Sequence, residues 1–266
     1  EQDDVYGLFF PSWASAQEAV RSIAGSQVRV AMIRLSNPTE TQTNLALAGH
    51  ARHVGMLKTY LRIRNIRPDE ACMCLIGFTG SRRMTSAARR DTLSIVRRHK
   101  GVMVGQAIGN AWKKNRFRSA YFRNTLWDLG YAVDTLETAI TWDKVTEAIE
   151  AIENSLHNAL QPWHEAAHVF THISDVYPIG SSIYTTFLFR LAESSQEMIE
   201  KWKSLKQSAS QAIVEAGGTI SHQHGVGNDH RRYLAVEKGA IGLGALLKFF
   251  DHIDPNQRMN PNKLLP

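Results

Sequence analysis

Short apolar runs rich in β-branched residues alternate with longer amphipathic segments along this chain, and that alternation restricts it to a layered α+β fold. SAQEAVRSIAG opens with Ser15 and carries Glu18 three residues on, a capping box that predicts a helix over 15–25 ending at Gly25. VRVAMIRL (28–35) and ACMCLIGF (71–78) read as strands. Between them lies a segment rich in Thr, Asn and Arg with one helical stretch around 51–64. SAARRDTLSIVRRHKG places Ala88, Leu93 and Val96 on one stripe with arginines opposite, and it stops at Gly101.

The second half repeats the theme. YAVDTLETAIT and HVFTHISDVYPIGSSIYTTFLFRLA read as strands, the latter turning around Pro178 and Gly180, with a long helix from Thr141 to about Leu160 between them. A second capping box, Ser194 with Glu197, opens a helix that runs to Gly217 and Gly218. No Pro-, Gly- or Ser-rich linker divides the halves. The expected architecture is one α+β domain over 1–266, with antiparallel sheets covered by helices in a duplicated split β-α-β (ferredoxin-like) arrangement.

Composition excludes several classes. Of 266 residues, 43% are hydrophobic and 21% charged, which is enough apolar material to close a core and argues against disorder. No run approaches eighteen apolar residues, about the minimum for a membrane-spanning helix. The opening EQDDVYGLFFP lacks the basic start and apolar core of a signal peptide, and the missing Met suggests a piece of a longer polypeptide. The two cysteines, Cys72 and Cys74, sit in one apolar run and read as a buried, reduced pair, so the expected location is cytoplasmic. The net charge of +6 would draw phosphate-bearing partners.

GGTISHQHGVG, residues 217–227, is where chemistry concentrates. Its glycines let backbone approach a flat ring or a phosphate, and His222 and His224 can donate, accept or shuttle protons near neutral pH. In an extended chain the two imidazoles would point to one side. His222, His224 and His230 also invite a zinc reading, but no HExxH, acidic ligand at useful spacing or Cys pair accompanies them, and no metal is expected. His50, His53, His99 and His252 read as structural.

AYFRN (120–124), TLETAITWDKV (135–145), HISDVYPIGSSIYTTF (172–187), GGTISHQHGVG and DPNQRMNPNKLL (254–265) occur here in the order seen in the C-terminal substrate, or cap, domain of FAD-linked oxidases. The chain resembles that family over essentially its whole length, and within it the alkyldihydroxyacetonephosphate synthase branch. The resemblance implies FAD held mainly by a separate domain of the same polypeptide, so that this chain alone is inactive. It also implies exchange of the acyl group of acyl-dihydroxyacetone phosphate for a fatty alcohol, with no net oxidation. By motif, Tyr184 falls on the family's proton-donating tyrosine and Arg123 on the arginine that holds the substrate phosphate. Arg34 also falls on a family arginine, which the resemblance assigns to substrate binding. His222 and His224 match the outer members of a histidine triplet whose middle place here is Gln223, read as a substrate-side residue that cannot carry a proton. Asn260 and Asn262, in the tail NPN, match the family's functional C-terminal end beside the cofactor.

Three alternatives follow from the same residues. The related 2-hydroxy-acid oxidases and dehydrogenases usually carry a GDGN-type segment and a Glu-His in the glycine loop; VYPIGSSIY and SHQHGVG stand there instead. A nucleic-acid-binding module is suggested by Arg82, Arg83, Arg89, Arg90, Arg97 and Arg98 and by WKKNRFR (112–118), but arginines on an amphipathic helix ordinarily face water and such a module leaves the glycine-histidine loop without a role. Nucleic acid is therefore not an expected partner. WKKNRFR could instead attract acidic headgroups in a peripheral membrane contact. A small phosphorylated or lipid substrate is the expected ligand, and a homodimer is open.

Overall fold

The computed structural model describes residues 2–49 and 51–265; His50 lies outside them. Contacts gather into two compact units, Glu1–Leu129 with Phe170–Ser181, and Gly130–Val169 with Ser182–Pro266. The chain is α+β.

The first unit runs β1 (Gln2–Phe10), α1 (Trp13–Gly25), β2 (Met32–Ser36), α2 (Pro38–Leu47), α3 (Ala51–Ile63), β3 (Cys72–Gly80), α4 (Arg82–Arg98), β4 (Val102–Gly105), α5 (Ala107–Asn115) and α6 (Ser119–Asp128). Its strands lie in the order β4-β1-β3-β2, each antiparallel to its neighbours. With α1 crossing from β1 to β2 and α4 from β3 to β4, this is the split β-α-β arrangement, into which α2 and α3 are inserted. Phe9, Phe10, Phe78 and Ile76 are fully buried around the central strands. Burial of each is worth about 1.5–3 kcal/mol.

Several boundaries differ from the sequence reading for local reasons. The cap of α1 is Ser12, whose hydroxyl accepts from the Ser15 amide at 3.3 Å, so the helix starts earlier than a Ser15 cap would allow. Residues 28–31 turn locally, with the Val30 amide on the Val28 carbonyl at 3.0 Å, and pairing with β3 as a regular strand begins only at Met32. The helix α2 was not expected. Asn37 caps it by accepting from the Glu40 amide at 2.8 Å, and Pro38, lacking an amide hydrogen, fits its first turn. Burial of β3 on both faces raises the Cys72 and Cys74 thiols to about 12, so both stay protonated.

The second unit holds β5 (Tyr131–Thr141), α7 (Val145–Asn158), β6 (His168–Ile173), whose end belongs to the first unit, β7 (Gly180–Arg190), α8 (Ser195–Ala216) and α9 (Leu234–Ile253). The strand β7 lies beside β5. Ile149, Ile152 and Leu156 of α7 and Leu205, Ala209 and Ile213 of α8 are buried, and the two helices pack together. The expected cap of α8 is present: Ser194 accepts from the Glu197 amide at 3.2 Å, and Gly217 ends the helix with φ 82°. Gly218 follows because any β-carbon there would come within 2.5 Å of the Thr138 hydroxyl. Among the described residues no strand follows α8, so a complete second split β-α-β copy is not present there.

Candidate active site

In the second unit, the end of α8 delivers the glycine-histidine loop alongside β5. The Thr219 amide donates to the Ala139 carbonyl and the His222 amide to the Glu137 carbonyl, both at 3.1 Å. Glu237 pins the start of the loop, accepting from the Ile220 amide at 2.7 Å and the Thr219 hydroxyl at 3.1 Å. Burial pushes the Glu237 carboxyl up, but the bonds from Lys238 and Ile220 outweigh it and hold the group below its ordinary range.

Glu137, from TLETAIT, is the centre of the site. It is a buried carboxylate within β5, and each oxygen faces an imidazole: Oε1 lies 3.1 Å from His222 Nδ1 and Oε2 3.1 Å from His224 Nε2. His222 Nδ1 is within hydrogen-bonding distance of Oε1, and His224 Nε2 faces Oε2 at ion-pair distance. His222 is largely enclosed, whereas the His224 side chain is 37% exposed. The half-buried Tyr184 of β7 meets the His224 ring edge-on, with centroids 5.5 Å apart at 82°.

The loop is not extended between the histidines. The His224 amide donates to the His222 carbonyl at 2.8 Å, closing a three-residue turn with Gln223 at its centre and φ of 61°. Both imidazoles still reach one carboxylate, and Gln223 is turned out to solvent. Beyond the turn, Gly225 and Gly227 have positive φ and open space where a β-carbon would stand. The tail rests on this loop: the Leu264 amide donates to the Gly227 carbonyl at 3.3 Å, and Arg231 Nη1 to the Asn262 carbonyl at 2.9 Å. Asn260 and Asn262 are exposed and adopt positive φ. His230, named in the zinc reading, is buried, and that burial lowers its pKa and favours the neutral ring.

The two candidate arginines lie in the first unit. Arg123 is exposed on α6. Arg34 of β2 donates through Nη2 to Glu40 Oε1 at 2.7 Å, and His172 Nδ1 lies 3.1 Å from the same oxygen. Burial pushes the Glu40 carboxyl up, but His172 and Arg34 together pull it down to about 2. This cluster joins β2, α2 and β6 and engages the guanidinium that sequence assigned to substrate.

Glu137, Glu237 and the Glu40–His172 pair were not singled out from sequence. A carboxylate in the middle of a predicted strand, between Leu136 and Ala139, was the available signal for Glu137, since an ionisable group buried without a partner would be too costly to keep.

The family model described as "FAD linked oxidases, C-terminal domain" matches residues 1–264. Alkyldihydroxyacetonephosphate synthase of Dictyostelium discoideum is 28% identical over 271 residues, covering 99% of this chain and 44% of the relative. A solved structure of alkyldihydroxyacetonephosphate synthase superposes with a TM-score of 0.76 at 25% identity, covering 99% of this chain and 45% of that one. A mitochondrial D-lactate dehydrogenase (cytochrome) of Arabidopsis thaliana is 33% identical over 73 residues, 27% of this chain and 13% of the relative. The chain thus spans under half the length of these relatives.

Proposed function

We propose, for a chain that belongs to the FAD linked oxidase C-terminal domain family, that it is the substrate domain of a flavin-dependent enzyme acting as an alkyldihydroxyacetonephosphate synthase. The observation that carries this reading is the cluster of Glu137, His222, His224 and Tyr184, in which a phenol edge adjoins an imidazole anchored by a buried carboxylate. With Nε2 of His224 committed to Glu137, its Nδ1 is the nitrogen that can accept a proton. In this reading Tyr184 moves a proton at the substrate carbon next to the ketone, and the imidazole beside it receives or returns that proton.

The loop suits a flavin. Gly225 and Gly227 leave backbone uncovered for a flat ring, and imidazole N–H and phenol O–H groups can donate to its carbonyl and ring nitrogens. When bound, FAD supplies the covalent partner for exchange of the acyl group for a fatty alcohol. In this reading FAD is held mainly by another domain of the same polypeptide, and His222, His224, Asn260 and Asn262 would contact it from this one. Arg123, exposed on α6, would hold the substrate phosphate through two parallel bonds. The exposed Phe117 ring beneath the Arg116 guanidinium, 4.7 Å from its centroid, beside Lys114, would meet the acidic headgroups of a membrane supplying the alcohol. The 2-hydroxy-acid dehydrogenase alternative has less support, since its relative matches only 73 residues.

In the flavin-loaded parent enzyme, Tyr184→Phe should abolish turnover while the flavin absorption band is retained. Near-normal turnover in that variant would remove Tyr184 from the proton-transfer role.

A further inference from the structure

A polar cavity, built from residues other than those of the candidate active site, lies within the first unit. Gln2, Asp4 and Tyr6 alternate along β1 and so share one of its faces, while Arg82, Thr85, Ser86 and Arg89 fall at helical spacing on α4; with Phe78 they line a cavity of about 210 Å³. A helix packed on a sheet ordinarily meets it with apolar side chains, and α4 does so further along, through Ala88, Ile95 and Val96. At this end the contact is polar.

Part of the lining is already fixed. Arg89 Nη1 donates to the Tyr6 hydroxyl at 2.9 Å with its guanidinium 5.5 Å from the ring centroid, and Tyr6 packs edge-on against Phe78. Thr85 donates to Gln2 Oε1 at 2.8 Å, leaving the Gln2 amide hydrogens to donate. The charges are a different matter. Among the described residues neither Asp4 nor Arg82 is ion-paired, although both line the same cavity. Opposite charges held apart across a small cavity ask for a ligand that carries both signs.

We propose that this cavity binds a small phosphorylated amine, its phosphate on Arg82 and Arg89 and its ammonium at Asp4. Two guanidiniums and one carboxylate leave one net positive charge, which a phosphate monoester dianion with one ammonium group neutralises. A bare phosphate would leave Asp4 facing an anion, and a bare amine would face two guanidiniums. Arg82 and Arg89 offer planar forks suited to phosphate oxygens, with the Ser86 hydroxyl and Gln2 amide as further donors.

Calorimetric titration of the intact polypeptide tests this, with phosphoethanolamine, inorganic phosphate and ethanolamine as probes and with vesicles bearing phosphatidylethanolamine as the lipid source of the same headgroup. Phosphoethanolamine should bind at least about tenfold more tightly than either fragment. Arg82→Ala, at an exposed position that leaves the core intact, should weaken phosphoethanolamine and phosphate alike by about tenfold. Asp4→Asn should weaken phosphoethanolamine while leaving phosphate unchanged or tighter. Arg89→Lys, which keeps the charge, should weaken both by losing the fork. Equal affinity for phosphate and phosphoethanolamine, indifference to Asp4→Asn or Arg82→Ala, or binding to the vesicles alone would each overturn the proposal.

Discussion

Each unit buries a glutamate against histidine, and the two clusters end differently. Glu40, with 2% of its side chain exposed, shares one oxygen between Arg34 and His172, on residues of β2, α2 and β6. Glu137, at 4%, spreads two oxygens over His222 and His224, which sit on a loop, and His224 remains 37% open to the outside. A buried carboxylate-imidazole pair is therefore no site by itself. What distinguishes the second is that an imidazole faces outward beside a phenol, while in the first a guanidinium shares the carboxylate oxygen with the imidazole.

Stability and activity should separate along that line. Glu40→Gln leaves Arg34 and His172 without their shared anion and should cost roughly 3–5 kcal/mol, read as a lowered midpoint of thermal unfolding. Glu137→Gln should cost less stability, on the order of 1–3 kcal/mol, yet lower the turnover of the flavin-loaded enzyme about 100-fold by losing the orientation of both rings. If the two variants lost stability equally and Glu137→Gln kept full turnover, the distinction would fail.

Acid sharpens the comparison. The Glu40 carboxyl lies below its ordinary value, so the folded state binds fewer protons than the unfolded one in that range. Its stabilising contribution is present above about 4.5 and is lost as pH falls toward about 2. Denaturant titrations at successive pH values should show that decline, and Glu40→Gln should flatten it. His230 adds a gentler slope of the same sign, since a buried neutral imidazole must charge as pH drops below about 6.5. The smallest effect belongs to Gln223→His: an exposed position that tolerates positive φ should change stability by less than about 0.5 kcal/mol. A large loss there would mean that the middle side chain is part of the cluster.

Regular elements were the legible part of this molecule. The Ser194 cap, the end of α8 at Gly217 and the strand over 131–141 all follow from local signals, a hydroxyl before an amphipathic run or β-branched residues in sequence. The Ser15 signal misled because Ser12, three positions earlier, offers an equally good oxygen and the helix takes the longer register. Tyr184, His222 and His224 were readable as a group through ordered motifs, and the structure does bring them together. Glu137 was not, because its importance depends on what a loop more than eighty residues later places against it. Arg34 looked like a ligand arginine for the converse reason: its partners, Glu40 on an unforeseen helix and His172 far along the chain, have no local signature.

The outward-facing glutamine at the apex of the tight reversal has a consequence for how such a protein can diverge. The side chains that hold the anion are those of its two neighbours, so a substitution at the apex by a residue that tolerates positive φ should be buffered from the chemistry beneath it. Lineages could try new groups at the rim, altering what is admitted, without first dismantling the apparatus that handles protons.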